Sequence, residues 1–192
     1  IKLLGIAKSQ NADVEIRVHP TLVPKNRLVA NVDGAMNAVL VHGNMVGPTL
    51  YYGAGAGAEP TASAVVADVI DIARQTKLSQ NTLIPSLGFM PDKINEKNIL
   101  SIENIFSEYY LRFTMKNQAG LLAKITNIFA DHDISINSMV HKEVQENNQN
   151  PDIFLITSKT KEADIDTIIS EIELLPENIE KVVKIRTEEL NK

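Results

Sequence analysis

The sequence has no cysteine among its 192 residues. Disulfide bonds, thiolate catalysis and cysteine-ligated zinc are therefore excluded, and the absence is typical of a cytoplasmic protein. The sequence also lacks a run of about 18 apolar residues, so we expect no membrane-spanning helix and no membrane partner. The net charge of −5 argues against a nucleic acid as the main partner, because phosphate binding needs a clustered basic surface.

Histidine is scarce as well. His19, His42, His132 and His141 are scattered along the chain and show no metal-ligand spacing such as H-E-x-x-H. We therefore expect structural or surface roles for all four histidines and no metal site.

Apolar residues are plentiful enough to build a packed core, at 44% of the sequence. The length suits one large domain or two small ones. The chain begins at Ile1 without a methionine, within what reads as a helix or strand already in progress. We therefore expect a piece of a longer protein, in which a missing N-terminal signal carries little meaning.

The first part of the chain has the patterns of several strands. Over residues 14–18, three apolar residues alternate with Glu15 and Arg17, which predicts a half-buried strand. Residues 37–42 and 48–52 are predicted to pair as a hairpin.

A helix is predicted from residue 60 or 61 to about residue 76, because Pro60 suits the first helical position. We expect a buried apolar stripe on this helix, made of Val65, Val66, Val69, Ile70, Ile72 and Ala73. Together these elements predict an α+β fold with a mixed or antiparallel sheet and helices on one face.

A glycine-rich turn leads into that helix. Gly53, Gly55 and Ala58 fit the dinucleotide fingerprint G-x-G-x-x-G/A. A complete Rossmann unit also needs a second strand that ends in an acidic residue about 20 residues on. Residues 79–92 would make a poor buried strand, so we favour a tight turn in another α/β domain, with a ligand contact still open.

The second part of the chain is more regular. Residues 77–107 show no sustained period and read as a connector. The rest alternates strand, helix, strand, strand, helix, strand, which predicts a ferredoxin-like βαββαβ domain. These elements are expected at residues 109–115, 121–129, 134–140, 153–157, 165–175 and 179–186, with a polar hairpin loop at 146–151.

Several of these segments resemble known families. Stretches similar to homoserine dehydrogenases are KLLGIA (2–7), VEIRVHPTLVP (14–24), NAVLVHG (37–43) and YYGAGAGAEPTASAVVADVIDIAR (51–74). The stretch YYLRFTMKNQAGLLAKITNIFADHDISINSMVHKE, residues 109–143, resembles an ACT regulatory domain. The order of the two segments makes the match to the C-terminal portion of a homoserine dehydrogenase more specific than either alone.

The resemblance implies a division of the chain. Residues 1–76 would be the C-terminal part of the catalytic and dimerisation domain, residues 77–107 a linker, and residues 108–192 the ACT domain. Members of the family interconvert L-homoserine and L-aspartate 4-semialdehyde with NADP or NAD, on the route to threonine and methionine. They are expected to be cytoplasmic homo-oligomers.

The resemblance also implies what this piece lacks and supplies. The Rossmann domain and the catalytic lysine of the family precede KLLGIA, so we expect no catalytic residue here and no activity from this chain alone. Gly57 matches a cofactor-contacting glycine of the family, and we assign Gly55 to the same contact. A glycine turn lets the backbone approach a cofactor without a side chain in the way.

The resemblance assigns an amino-acid effector, with threonine foremost, to the ACT domain. The pocket would lie between paired ACT domains and would use Asn117, Gln118, Gly120, Leu121, Asn137 and Ser138. Free N–H groups at the start of the first ACT helix could hold the effector's carboxylate. Two positions depart from the common pattern, with Asn117 in place of Asp and Ala119 in place of Pro.

A second function remains open at this stage. The chain could be a free-standing ACT-type amino-acid-binding regulator without catalysis. An in-frame G-x-G-x-x-G strand–turn–helix upstream of Ile1 would favour the enzyme, whereas a nearby start codon would favour the regulator.

Overall fold

The computed structural model describes residues 1–10, 13–77, 85, 87–142 and 150–190. The chain divides into two compact units, one formed by residues 1–24 with residues 98–190 and the other by residues 25–97. Among the helices in the described ranges, none combines the length and apolar character needed to cross a bilayer.

The strands, in chain order, are β1 (Lys2–Gln10), β2 (Asp13–Leu22), β3 (Met36–Gly43), β4 (Gly47–Ala54), β5 (Phe106–Thr114), β6 (Ile136–His141), β7 (Asp152–Thr157), β8 (Thr160–Lys161) and β9 (Val183–Thr187). The α-helices are α1 (Ala58–Gln75), α2 (Leu121–Asp131) and α3 (Glu162–Glu173).

The larger unit contains the predicted ferredoxin-like order β5-α2-β6-β7-α3-β9, and the predicted fold class is confirmed. Antiparallel pairing of β9 with β5, β5 with β7, and β7 with β6 gives the sheet order β9-β5-β7-β6. The last strand begins at Val183 rather than at residue 179. Of the predicted loop at 146–151, residues 146–149 lie outside the described residues.

The core of this unit lies between the sheet and the two helices. Alternation along β5 turns Tyr109, Leu111 and Phe113 inward, where each is fully buried. The helices place apolar residues at helical spacing against them, namely Leu121, Ile125, Phe129, Ile165, Ile168 and Ile172. Burial of this apolar surface is the main stabilising contribution to the unit.

The ACT-type sheet continues into the first two strands of the chain. β1 and β2 form an antiparallel pair, and β2 joins β9 in parallel through the pairs Thr21↔Arg186 and Leu22↔Thr187. Val14 also exchanges backbone hydrogen bonds with the segment predicted as a connector, at Asn98 and Leu100. The sheet order is therefore β1-β2-β9-β5-β7-β6, and the compact units do not divide the chain at residue 76.

The buried side of β2 is charged. The sequence predicts a half-buried strand with alternating residues, and the strand is present. Its exposed side, however, carries Ile16 and Val18, which are 53% and 70% exposed, whereas Glu15 and Arg17 are buried. The physical reason is that β2 lies beside β9. On the same side of the sheet, Lys184 and Arg186 of β9 bind Glu162 of α3, so the inner layer is polar here.

The smaller unit is an antiparallel hairpin of β3 and β4 followed by α1, as the sequence predicts. The predicted buried stripe on α1 is wrong for the structure described here. Val65, Val69 and Ile72 are 57–61% exposed, and α1 has no buried residue. A two-stranded hairpin offers too little surface to cover an 18-residue helix.

Candidate functional site

A cavity of about 410 Å³ lies on the sheet face that points away from α2 and α3. Because Tyr109 faces the helices, its neighbour Glu108 faces the opposite side. The cavity is lined by Leu22, Val23, Pro24, Glu108, Asn137, Ser138, Ile156, Thr187, Glu188 and Glu189. Its wall thus spans β2, β9, β5, β7 and β6, all within the larger unit.

An irregularity in β6 shapes this cavity. The β6–β7 register shifts between Ile136 and Ser138, as at a β-bulge. A bulge breaks the alternation of side chains, which explains how the adjacent residues Asn137 and Ser138 both line the cavity. The Asn137 amide donates to the carbonyl of Thr157 at 3.1 Å and lies 3.5 Å from Glu108.

The predicted effector loop lies outside the cavity, at the far end of β5. Asn117, Gln118 and Gly120 follow the C-terminal end of β5, are exposed and do not line the cavity. Gly120 has φ 83° and is the N-cap of α2, and Leu121 is buried in the core. Because β6 and β5 both pair antiparallel with β7, the cavity residues of β6 lie at the other end of β5. One chain therefore does not bring the six predicted effector residues together.

A buried carboxylate organises the other side of the sheet. Glu162, at the start of α3, accepts hydrogen bonds from the Tyr109 hydroxyl at 2.8 Å, from Lys184 at 2.6 Å and from Arg186 at 2.5 and 2.8 Å. Burial opposes its ionisation, but the bonds from Arg186, Lys184 and Tyr109 hold the pKa of this carboxyl below its usual 4.5. Burial, reinforced by the bond to Glu162, raises the pKa of Tyr109.

The charged layer continues into β2. Arg17 lies 3.0 Å from Glu15 and 2.9 Å from Glu188, which also binds Lys8 at 2.7 Å. His19 is buried beside this group, and its Nδ1 lies 3.0 Å from the Thr21 hydroxyl. Burial, together with the positive charges of Arg186 and Arg17, lowers the pKa of His19. Ion pairs and hydrogen bonds therefore join the first strands to the end of the chain.

The glycine turn belongs to the smaller unit and is open. Residues 53–57 are all exposed, and the N–H of Gly55 donates to Ala35 at 3.0 Å. Gly57 has φ 127°, a backbone conformation that favours glycine, and precedes α1. A side chain at Gly55 would collide with Asn37, since an added Cβ would lie 1.5 Å from the Asn37 amide nitrogen. The turn is thus shaped for glycine and leaves its backbone accessible.

Two family models match the chain in succession. Residues 1–70 match the model "Homoserine dehydrogenase", and residues 109–177 match the model "ACT domain". Homoserine dehydrogenases of Pseudomonas aeruginosa and Neisseria gonorrhoeae are each 45% identical to this chain over 191 residues. The chain corresponds to the C-terminal portion of a homoserine dehydrogenase that includes an ACT domain. The resemblance predicted from the sequence is confirmed.

Solved homoserine dehydrogenases share the fold. The enzyme of Thiobacillus denitrificans matches 99% of the chain with a TM-score of 0.89 and 50% identity, and a Staphylococcus aureus enzyme matches with a TM-score of 0.61 and 25% identity. The chain covers 42% of each of these structures, and it spans 44% of the length of the Pseudomonas and Neisseria relatives. Less than half of a homoserine dehydrogenase is therefore represented.

The remaining polar residues form no metal centre in the part of the chain that the structure describes, where no three His, Asp or Glu side chains converge. His132 pairs with Glu171 at 2.8 Å on the surface. The sequence did not reveal that Glu108 and Glu188 share a cavity with Asn137. The sequence shows that Glu188 and Glu189 are adjacent after the last strand. It does not show which residues surround them in the cavity, because that depends on the pairing of β2 with β9.

Proposed function

We propose that this chain functions within a longer homoserine dehydrogenase, which interconverts L-homoserine and L-aspartate 4-semialdehyde with NADP or NAD for threonine and methionine synthesis. The observation that carries the proposal is the match of residues 1–70 to the homoserine dehydrogenase model, with 45% identity to relatives along the whole chain. The cytoplasmic location expected from the family stays a prediction.

In this proposal the turn at Gly55 and Gly57 forms a wall of the cofactor site. Its support is the accessible backbone and the positive φ of Gly57, which allow close approach of a nicotinamide nucleotide. Hydride transfer requires the reacting atoms to be held about 3–3.5 Å apart, so a rigid wall of this kind contributes to the rate by positioning. The acid–base groups would come from another part of the longer protein.

A chimeric enzyme tests this role. The part of the Pseudomonas aeruginosa enzyme that this chain does not match is fused ahead of it, and homoserine-dependent reduction of NADP or NAD is measured. We expect activity from the chimera and none from the 192-residue chain alone. A folded chimera without activity would contradict the proposal, as would near-native activity of the chain by itself.

Two glycine substitutions test the role of Gly57 in the same assay. Gly57→Ala should raise the KM for the nucleotide, because an added Cβ both strains the backbone and lies 3.2 Å from Pro60. Gly34→Ala is the matched control, since Gly34 also has a positive φ, 64°, and has no atom within 4 Å of an added Cβ. Equal effects of the two changes would argue that Gly57 matters only for backbone conformation.

The ACT domain is proposed to sense an amino acid, with threonine as the first candidate. The site would use the loop residues Asn117, Gln118, Gly120 and Leu121 of one copy with Asn137 and Ser138 of another. Threonine titration by calorimetry should give heat that Asn117→Ala removes and that Asn95→Ala, an exposed control, retains. Heat unaffected by Asn117→Ala would exclude the loop.

A homo-oligomer is part of this proposal. Its support is the apolar surface that this chain leaves uncovered, on α1 and on the outer side of β2. Light scattering at micromolar concentration should give a mass above the 21.2 kDa of one chain. A monomeric mass would contradict it.

A further inference from the structure

We propose that Glu177 binds the ammonium group of an amino acid held at the effector loop, residues 117–120. The inference rests on the effector role proposed above and adds to it a recognition residue outside the loop. It makes the site specific for amino acids over acids that lack an amino group. In the free chain, the side-chain ammonium of Lys124 occupies the place that the ligand's ammonium would take.

Glu177 lies in the turn between α3 and β9, and backbone pairing fixes that turn beside the loop. The N–H of Lys116 donates to the Glu177 carbonyl at 2.8 Å, and the N–H of Ile179 donates to the Thr114 carbonyl at 3.1 Å. These bonds continue the pairing of β5 as far as the residue before Asn117. The main chain therefore sets the position of Glu177 relative to the loop.

The Glu177 carboxylate also contacts the residue that ends the first turn of α2. Its Oε1 accepts a hydrogen bond from Lys124 Nζ at 2.5 Å, and the Lys124 N–H bonds the carbonyl of Gly120, the N-cap of α2. Side chains of a helix lean toward its N-terminus, where the free N–H groups are. The carboxylate thus lies close to the donors that would hold the carboxylate of an effector.

This carboxylate has unused hydrogen-bonding capacity. Glu177 is only 5% exposed, and its Oε2 has no hydrogen-bond partner among the described residues. The side-chain oxygen of the next residue, Asn178, is likewise buried without a partner there. The bond from Lys124 is the main reason that the pKa of the Glu177 carboxyl lies below its usual 4.5, so the group is ionised at neutral pH. A further N–H donor would satisfy these oxygens.

The chemistry of an amino acid matches this arrangement. Its carboxylate and ammonium groups are neighbours, so they need N–H donors and an acceptor side by side. The start of α2 offers the donors, and Glu177 offers an anionic acceptor, whereas the exposed loop side chains Asn117 and Gln118 are uncharged. An ammonium group has three N–H donors, and its bond to a carboxylate is charge-assisted and stronger than a bond to an amide.

The contact with Lys124 shows that an ammonium group fits this carboxylate. The Lys124 side chain is 50% exposed, so the lysine can move into water at little cost. Exchange of this ammonium for that of the ligand keeps Glu177 paired, which avoids the cost of a buried and unpaired charge. The effector would thus replace an internal partner and also supply the bonds that Oε2 lacks.

Two substitutions with opposite expected effects test this on the 192-residue chain, with L-threonine as the probe in calorimetry. Glu177→Gln preserves shape and should weaken threonine binding by about tenfold. Lys124→Met removes the competing ammonium and should strengthen it. If Glu177 only supports the loop through its ion pair, both changes break that pair and should weaken binding alike. Glu180→Gln, an exposed carboxylate three residues further on, is the control, and circular dichroism checks each fold.

A matched ligand tests the same contact from the other side. (R)-3-Hydroxybutyrate is L-threonine without its amino group, and it should bind the parent about tenfold more weakly, with no further loss in Glu177→Gln. Threonine binding that is unchanged in folded Glu177→Gln, weakened in Lys124→Met, or matched by the hydroxy acid would each overturn the inference and leave the effector loop standing. A parent chain that binds none of threonine, isoleucine, methionine and lysine would overturn the effector role itself, and this inference with it.

Discussion

Helices α1 and α3 have similar apolar spacing and opposite surroundings. In α3, Ile165, Ile168 and Ile172 are completely buried against the sheet. In α1, Val65 and Val69 stand at comparable spacing and remain 57% and 60% exposed. Periodicity therefore identifies a helix and its apolar side, but the covering surface is a separate property that the helix sequence does not contain.

The largest expected effect tests the well-packed region. Phe129→Ala removes a fully buried ring from α2 and should lower the free energy of unfolding by about 3–5 kcal/mol. Urea denaturation followed by circular dichroism measures this loss. Leu122→Ala, on the exposed side of the same helix, is the control and should cost much less. Equal losses would mean that the core is not where the structure has it.

A second change asks whether the first strands belong to that region. Arg17→Met removes the cation that contacts Glu15 and Glu188 within the charged layer, and it should cost about 2–3 kcal/mol. The cost falls below that of a core cavity because Lys8 stays with Glu188. The unfolding transition should remain single, since residues 1–24 share a sheet with residues 98–190. A separate early transition would show that the first strands unfold independently of the rest of the unit.

Part of this architecture could be predicted from the sequence because it depends on local patterns. The βαββαβ order, the hairpin and the turn before α1 all follow from alternation, helical spacing and glycine placement. The polar inner side of β2 could not be predicted, since the contact of Arg17 with Glu188 exists only when β2 lies beside β9 in the folded chain. The cavity depends in the same way on pairing between distant strands.

The third effect is smaller and depends on pH. The pKa of His19 lies below its usual 6.5 because burial, Arg186 and Arg17 disfavour the imidazolium and outweigh the opposing influences of the Pro20 carbonyl and Glu162. Well above pH 6.5 the ring is neutral in both states. As the pH falls below that value, the unfolded chain takes up the proton first, so stability declines until the pH passes the folded pKa.

His19→Gln should remove this decline, which for one proton is at most about 1.4 kcal/mol per pH unit. Urea midpoints measured across the mildly acidic range would show it. His42→Gln changes an exposed histidine of the smaller unit and serves as the control. A variant whose pH profile matches the parent would show that His19 gains its proton as easily when folded as when unfolded.

The smallest effect bears most directly on the contrast between the helices. If α1 is uncovered, Val69→Ala should be neutral or should raise helix stability by up to about 0.5 kcal/mol, because alanine has the higher helix propensity. Hydrogen exchange of the α1 amides measures this, since α1 contributes little to global unfolding. If a second copy or another part of a longer protein covers this side, the same change removes buried methyl groups and lowers protection instead. The sign of the stability change in Val69→Ala thus distinguishes a helix that is stable while exposed from one whose apolar side is covered by a second copy or by another segment.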